Sequence, residues 1–167
     1  GFAWTDQPSP LMERSFFQYH WSTRATWAVD NWNLDLGVWF EGRLIGNQSV
    51  GAKQFNQVRT VSTGSWLAAE FQGQGIGKEM RSAVLGFGFD HLGAFWAVSG
   101  SFVDNPASAA VSRSLGYHED GIEIMAPRGE PKELIRWRMT VDEWHARERP
   151  HVEVGGLEHC WDMFGAG

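Results

Sequence analysis

The chain has 167 residues, 14 Lys and Arg against 20 Asp and Glu, and a formal net charge of -6. That length fits one domain with one sizeable core, and the negative balance argues against nucleic acid or an anionic membrane surface as the main partner. Cys160 is the single cysteine, so no internal disulfide framework is available and a reducing, cytoplasmic compartment is expected. No apolar run approaches a membrane span, and no secretory leader is legible.

Taken in chain order, Met12, Phe16, Phe17, Trp21 and Trp27 form a loose helical stripe, which predicts one helix or two short ones between residues 10 and 29. Leu34, Leu36, Val38 and Phe40 alternate, Glu41-Gly42-Arg43 makes a tight turn, and Leu44, Ile45 and Val50 follow. This is the pattern of an antiparallel hairpin. A third strand is expected over residues 59–70, ending in small residues that lead into Gln72-Gly73-Gln74-Gly75-Ile76-Gly77. From Ile76, apolar residues at helical spacing (Met80, Val84, Phe87) predict a buried helix.

Residues 95–103 predict a fourth strand. Asp104-Asn105-Pro106 then opens a helix with a capping side chain and proline in its first turn, and Gly116 closes it. Residues 122–125 and 133–139 form a last antiparallel pair, and Thr140 with Glu143 makes a capping box for a short helix. We expect one α/β (α+β) domain over residues 1–149, with a mixed sheet flanked by helices, and a tail over 150–167 that docks on the body or on a second subunit. The ten tryptophans are expected in the core and in subunit contacts.

The chemistry concentrates in the glycine loop. Three glycines at a strand-to-helix junction let backbone amides point outward together, at the positive end of a helix dipole, which suits a diphosphate. A Walker loop would need glycine where Gln72 stands and serine or threonine where Glu79 stands. A dinucleotide fingerprint would need glycine at Lys78 or Met80. Both readings fail.

Gln72-Gly73-Gln74-Gly75-Ile76-Gly77 resembles the coenzyme A signature of the GNAT superfamily, (Gln or Arg)-x-x-Gly-x-(Gly or Ala). Asn105-Pro106-Ala107-Ser108 followed by Leu115-Gly116-Tyr117 resembles its second element. The likeness runs from about residue 34 to 144 and is nearest the RimJ and RimL branch. It implies a mostly antiparallel central sheet with one strand pair splayed for pantetheine, an acyl-CoA (acetyl-CoA by default, succinyl-CoA as an alternative) as co-substrate, no metal, and an amine acceptor attacked directly on the thioester.

The resemblance assigns Leu67 and Ala69 to the pantetheine amides, and Gln74, Gly75, Ile76, Gly77 and neighbouring Gly73 to the pyrophosphate, with Gln72 and Lys78 flanking it. Asn105 and Ser108 correspond to coenzyme contacts, although simple helix capping explains them equally. Ser112 stands where many relatives carry a tyrosine that protonates the thiolate, and is the candidate general acid; an ordinary surface serine is the alternative.

The base stays open between Glu70 and a water held by Ser99 and Ser101. Arg113 or Arg128 would face the carboxylate of an acidic acyl group. Relatives begin with a strand that nothing before Pro10 resembles, so either the chain is a fragment or its sheet edge is completed otherwise. The acceptor is open among protein amino termini, small amines and amine antibiotics; a homodimer is compatible. A non-catalytic coenzyme-binding module of degenerate fold is the competing reading.

Overall fold

The computed structural model describes residues 6–166, so the stretch before Asp6 lies outside the described residues. Helix α1 (Leu11–Ala25) comes first, as one helix. Its apolar stripe does not become an inner face: no residue of α1 is buried, and Phe17 and Trp21 are more than half exposed. Phe16 is half-buried, while Phe17 and Trp21 stack on each other, with ring centroids 6.0 Å apart.

The hairpin forms as its alternation predicts, from β1 (Asn31–Phe40) and β2 (Arg43–Lys53). Glu41 and Gly42 both take positive φ at the turn, the combination that matches strand twist in a two-residue loop. After β2 a four-residue helix, α2 (Phe55–Val58), buries Phe55 before β3 (Thr60–Leu67) begins. Four residues cannot display a helical period, which is why the sequence reading placed no helix there.

Helix α3 (Ile76–Gly86) runs into a π-turn over residues 87–91. Strand β4 (Trp96–Phe102), helix α4 (Pro106–Leu115), β5 (His118–Met125), β6 (Lys132–Thr140) and α5 (Val141–His145) complete the body. The expected helix caps are present. The Asn105 side chain, rather than Asp104, accepts from the Ser108 amide, Gly116 closes α4 with φ +93°, and Thr140 and Glu143 cap each other.

The six strands form one sheet in the order β1-β2-β3-β4-β6-β5. All neighbours are antiparallel except β3 and β4. The core lies where α3, the π-turn and α4 meet the sheet, with Val50, Val61, Ala97, Trp137 and Met139 packed against Val84, Leu85, Leu115 and Tyr117. The tryptophans divide between roles: Trp32, Trp137 and Trp144 are buried, whereas Trp21, Trp39, Trp66 and Trp161 are exposed.

The tail docks on the body. Phe164 is buried edge-on to Trp27, Trp32 and Phe87, and the indoles of Trp27 and Trp32 donate to the carbonyls of Met163 and Phe164. Phe164→Ala removes this buried ring and is expected to cost about 3 kcal/mol of stability, read as a lowered urea midpoint.

Candidate functional site

The site begins where β3 and β4 part. They pair in parallel from Thr60↔Trp96 to Thr63↔Ser99 and no further. Beyond that point β3 stays with β2, through Ser49↔Gly64 to Gly46↔Leu67, and β4 stays with β6, through Gly100↔Arg136 to Phe102↔Leu134. A wedge-shaped gap is left between Gly64–Leu67 and Gly100–Phe102.

Side chains hold each wall. The buried Gln48 donates from Nε2 to the Gly64 carbonyl at 2.9 Å and Ser49 Oγ donates to the same oxygen at 3.1 Å, which clamps β3 to β2. On the other wall, Trp137 Nε1 donates to Ser101 Oγ at 2.8 Å. A Cβ on Gly100 would meet Leu134 at 2.9 Å, so glycine allows β6 to close on β4.

Along the gap the backbone of β3 has no strand partner on the β4 side. Ala68 turns its amide to Ile45 of β2 at 2.9 Å, and an antiparallel strand alternates the side to which its peptide groups point. Leu67 and Ser65 therefore direct theirs into the gap. The Leu67 carbonyl accepts from Gln72 Nε2 at 2.9 Å. Ala69 leaves the strand: it starts a 3-10 turn over residues 69–71, and its carbonyl accepts from the Gln72 amide.

Because β3 and β4 run parallel, the loop after one and the helix start after the other emerge at the same edge of the sheet. The glycine loop stands open there. Gly73 and Gly75 take φ of +76° and +86° with no atom near a would-be Cβ, a conformation other residues rarely adopt. No side chain caps the start of α3, which leaves its first amides available to an anion. Gln74 is tied back to the Glu70 carbonyl, Lys78 is exposed on the first turn, and Glu79 beside it opposes an anion. Gly77 faces Val111 of α4, whose Cγ2 would lie 3.8 Å from its Cβ.

Ser112 is sealed within the protein, so the surface reading of this serine is set aside. Its Oγ accepts from Arg81 Nη1 at 2.8 Å and donates to the Ser108 carbonyl at 3.2 Å. Arg81 itself is 4% exposed, and its Nε has no partner among the described residues. Burial pulls the guanidinium below its ordinary pKa, opposed by nearby Tyr117. Sequence reasoning missed Arg81, since a cation on a helix ordinarily reads as solvent-facing.

The other charged candidates are engaged elsewhere. Glu70 pairs with Arg43, Arg113 with Glu119, and Arg128 with Asp6. Ser99 Oγ donates to the Thr63 carbonyl at the last rung before the gap. Cys160 Sγ contacts the Gly156 carbonyl in the tail.

On the opposite face of the sheet, under α1, a cleft of about 430 Å³ is lined by Phe16, Tyr19, His20, Asp35, Ser49 and Trp66, among others, and reaches Gly64 and Ser65. The Asp35 side chain is 8% exposed. It accepts from Asn33 Nδ2 at 2.9 Å, and the His20 ring stands 3.7 Å away. Burial raises its pKa above the usual carboxylate range, against the pull of His20, Asn33 and Arg24. Tyr19, whose hydroxyl accepts from the same Asn33 amide, is raised by burial and by Asp35. The sequence held one signal for Asp35: it is the acid set between the alternating apolar residues of β1, hence on the other face.

A sheet opened between its two parallel strands, with an open glycine loop and an uncapped helix start at the mouth, defines an α/β architecture with room for an extended ligand along β3 and an anion at the loop. The acetyltransferase (GNAT) domain model matches residues 2–118, and the chain belongs to that family, whose members transfer an acyl group from acyl-CoA to an amine.

Solved structures share the fold. A chimera of the spermidine N-acetyltransferase SpeG from Vibrio cholerae and hSSAT is similar at 18% identity, with TM-score 0.67 over 85% of this chain and 87% of that one. RimJ of Mycobacterium smegmatis, in complex with CoA-disulfide, is similar at 19% identity, with TM-score 0.67 over 78% of this chain and 63% of that one. A dodecameric spermidine N-acetyltransferase from Vibrio cholerae matches at 16% identity and TM-score 0.64, over 84% and 81% of the two chains.

The raised carboxyl of Asp35 gives a signed prediction. The folded protein binds this proton more tightly than the unfolded chain, so the contribution to stability is full below the unfolded pKa and is lost as pH rises through the folded one. Asp35→Asn cannot ionise. Without ligand it is expected to be more stable than the parent at neutral pH, and the difference should vanish toward about pH 3, measured by urea midpoints across that range.

Proposed function

We propose that the chain transfers an acetyl group from acetyl-CoA to a primary amine by direct attack in the gap between β3 and β4. The observation that carries this reading is the parting of those strands after Thr63 and Ser99, at the same sheet edge as the open loop of residues 72–78. A pantetheine arm supplies amides and carbonyls at strand spacing, so it can complete the unpaired wall of β3 as an added strand.

In this reading the peptide groups of Ser65 and Leu67 receive the arm, and the Gln72 side chain yields the Leu67 carbonyl to it. The Ala69 amide lies at the exit. Amides of Gly73, Gln74, Gly75, Ile76 and Gly77 hold the pyrophosphate, with Lys78 supplying a flexible positive charge. Asn105 and Ser108 line the second helix start beside it. Asn105 keeps its role as a helix cap while doing so.

The neutral amine nitrogen attacks the thioester carbon, the C–S bond breaks, and the nitrogen gives its proton to a water in the gap, which passes it to the departing sulfur as the amide forms. The sulfur departs with thiolate character and needs a donor. In this reading Ser112, buried beneath that corner, turns its hydroxyl from the Ser108 carbonyl to give the sulfur a hydrogen bond rather than a net proton, and Arg81 behind it offsets the negative charge. Both small amines and protein amino termini fit an acceptor side open to solvent. The spermidine and RimJ neighbours lend their printed names to one class each.

Two variants test this reading. Gly75→Val places a β-branched side chain at φ +86° in the cradle and is expected to abolish the rise in melting temperature that acetyl-CoA gives the parent. A parent that melts identically with acetyl-CoA, succinyl-CoA and free CoA would disprove donor binding. Ser112→Ala is expected to lower kcat by about 10–100-fold, with KM for acetyl-CoA changed by far less. It should also cost about 1–3 kcal/mol of stability, because Arg81 loses a buried partner.

A further inference from the structure

The cleft under α1 has a feature that acetyl transfer alone does not explain. A carboxylate is held almost out of water although, among the described residues, no lysine or arginine nitrogen lies within 4 Å of it. Its neighbours are an amide, from Asn33, and a histidine ring. Phe16, Tyr19 and Trp66 line the same cleft. A desolvated anion walled by aromatic rings is an arrangement that binds an organic cation, because the ring faces add to the attraction of the carboxylate.

Register fixes how far this anion is from the chemistry. Asp35 pairs with Ser49, and Ser49 with Gly64, the first β3 residue past the last rung shared with β4. Asp35, Ser49 and Gly64 thus form one row across three strands, with their side-chain positions on the same face. Two strand spacings are about 10 Å, and reaching the middle of the gap brings the span to roughly 10–14 Å. Asp35 is too distant to take the proton of the attacking nitrogen directly, which requires contact or one bridging water.

A second nitrogen can use that distance. About 3 Å is taken by the contact of an ammonium with a carboxylate and about 3 Å by a nitrogen poised for attack. The remainder, roughly 4–8 Å by the same spacings, is spanned by three to five methylene groups.

Resting on the acyl-transfer reading above, we infer that the acceptor is a short α,ω-diamine, whose distal ammonium seats on Asp35 between the rings of Phe16, Tyr19 and Trp66 while its other, neutral nitrogen attacks at the gap. The groups facing Asp35 fit this role. Asn33 orients the carboxylate, bridging it to the Tyr19 hydroxyl. The His20 ring stands 3.7 Å from the carboxylate on the α1 side. Arg24 is the remaining cation whose field reaches Asp35.

The test compares 1,4-diaminobutane with n-butylamine, which lacks only the distal nitrogen. With acetyl-CoA and thiol release as the readout, kcat/KM for the diamine is expected to exceed that for the monoamine by at least about tenfold, the scale of one charge-assisted hydrogen bond. The advantage should lie mostly in KM. Asp35→Asn should bring the ratio close to one, with the melting shift given by acetyl-CoA retained.

A calorimetric titration of 1,4-diaminobutane into the CoA-saturated protein provides a readout independent of turnover. Binding by the parent that is lost in Asp35→Asn supports the subsite even if no amine is acetylated, an outcome that would instead sink the acyl-transfer reading. Equal use of the two amines by the parent overturns the inference. So does an Asp35→Asn variant that keeps the preference and merely melts differently; Asp35 and His20 would then only fasten α1 to the sheet.

Discussion

Strands β3 and β4 share four rungs and then separate, and each feature of the site depends on that separation. A parallel pair that continued to Leu67 would spend the peptide groups of Ser65 and Leu67 on β4. With the pair broken, those groups would be left dry and unsatisfied unless solvent or a ligand reached them, because a buried peptide group without a partner costs as much as a lost hydrogen bond. The protein keeps the broken edge wet: Ser65 is exposed whereas Val61 and Thr63, two and one places earlier on the same face, are buried. Gln48 and Ser49 on one side and Trp137 and Leu134 on the other keep the walls from collapsing inward.

Two polar groups are kept under burial at a cost to stability. Arg81 lies in the seam between α3 and α4 with one nitrogen unsatisfied among the described residues, and Asp35 is desolvated under α1 with its pKa raised. Neither placement helps the fold by itself, since charge prefers water. They sit on opposite faces of the sheet, Arg81 behind Ser112 and Asp35 in the cleft that reaches Gly64. The gap lies between them, and this is the arrangement that a transfer reaction with a donor on one side and an acceptor on the other would use.

Much of this was legible in residue order. Three glycines before an apolar helix, a proline after Asn105, and Thr140 ahead of Glu143 each specify backbone geometry locally, so the loop, the start of α4 and the capping box could be read without tertiary knowledge. The parting of the strands could not, because register is a property of two segments far apart in sequence. Asp35 was hidden by the method that found its strand, which follows the apolar residues and ignores what lies between them. Arg81 was passed over as a solvent-facing cation, and Ser112 was chosen by its place in the motif with its burial unforeseen, for both are buried by α4 lying against α3. The stripe on α1 misled in the other direction: its aromatic residues are spaced for a helix face, but the surface that would cover Phe17 and Trp21 is absent among the described residues.

The carboxyl-terminal turns bear on how the sheet can move. Phe95 and Trp96 hang their amides on the Arg59 carbonyl, and the Arg59 guanidinium in turn reaches the carbonyl of Ala166. Residues 164–166 therefore bolt down the end of the sheet at which β3 and β4 still touch, with Phe164 wedged beside Phe87 and Trp32. The sheet is laid out like a fan riveted at its handle: the fastened end is the one where the ribs touch, and they stand apart only at the far rim. A segment remote from the gap thus helps to set the width at which it stands open.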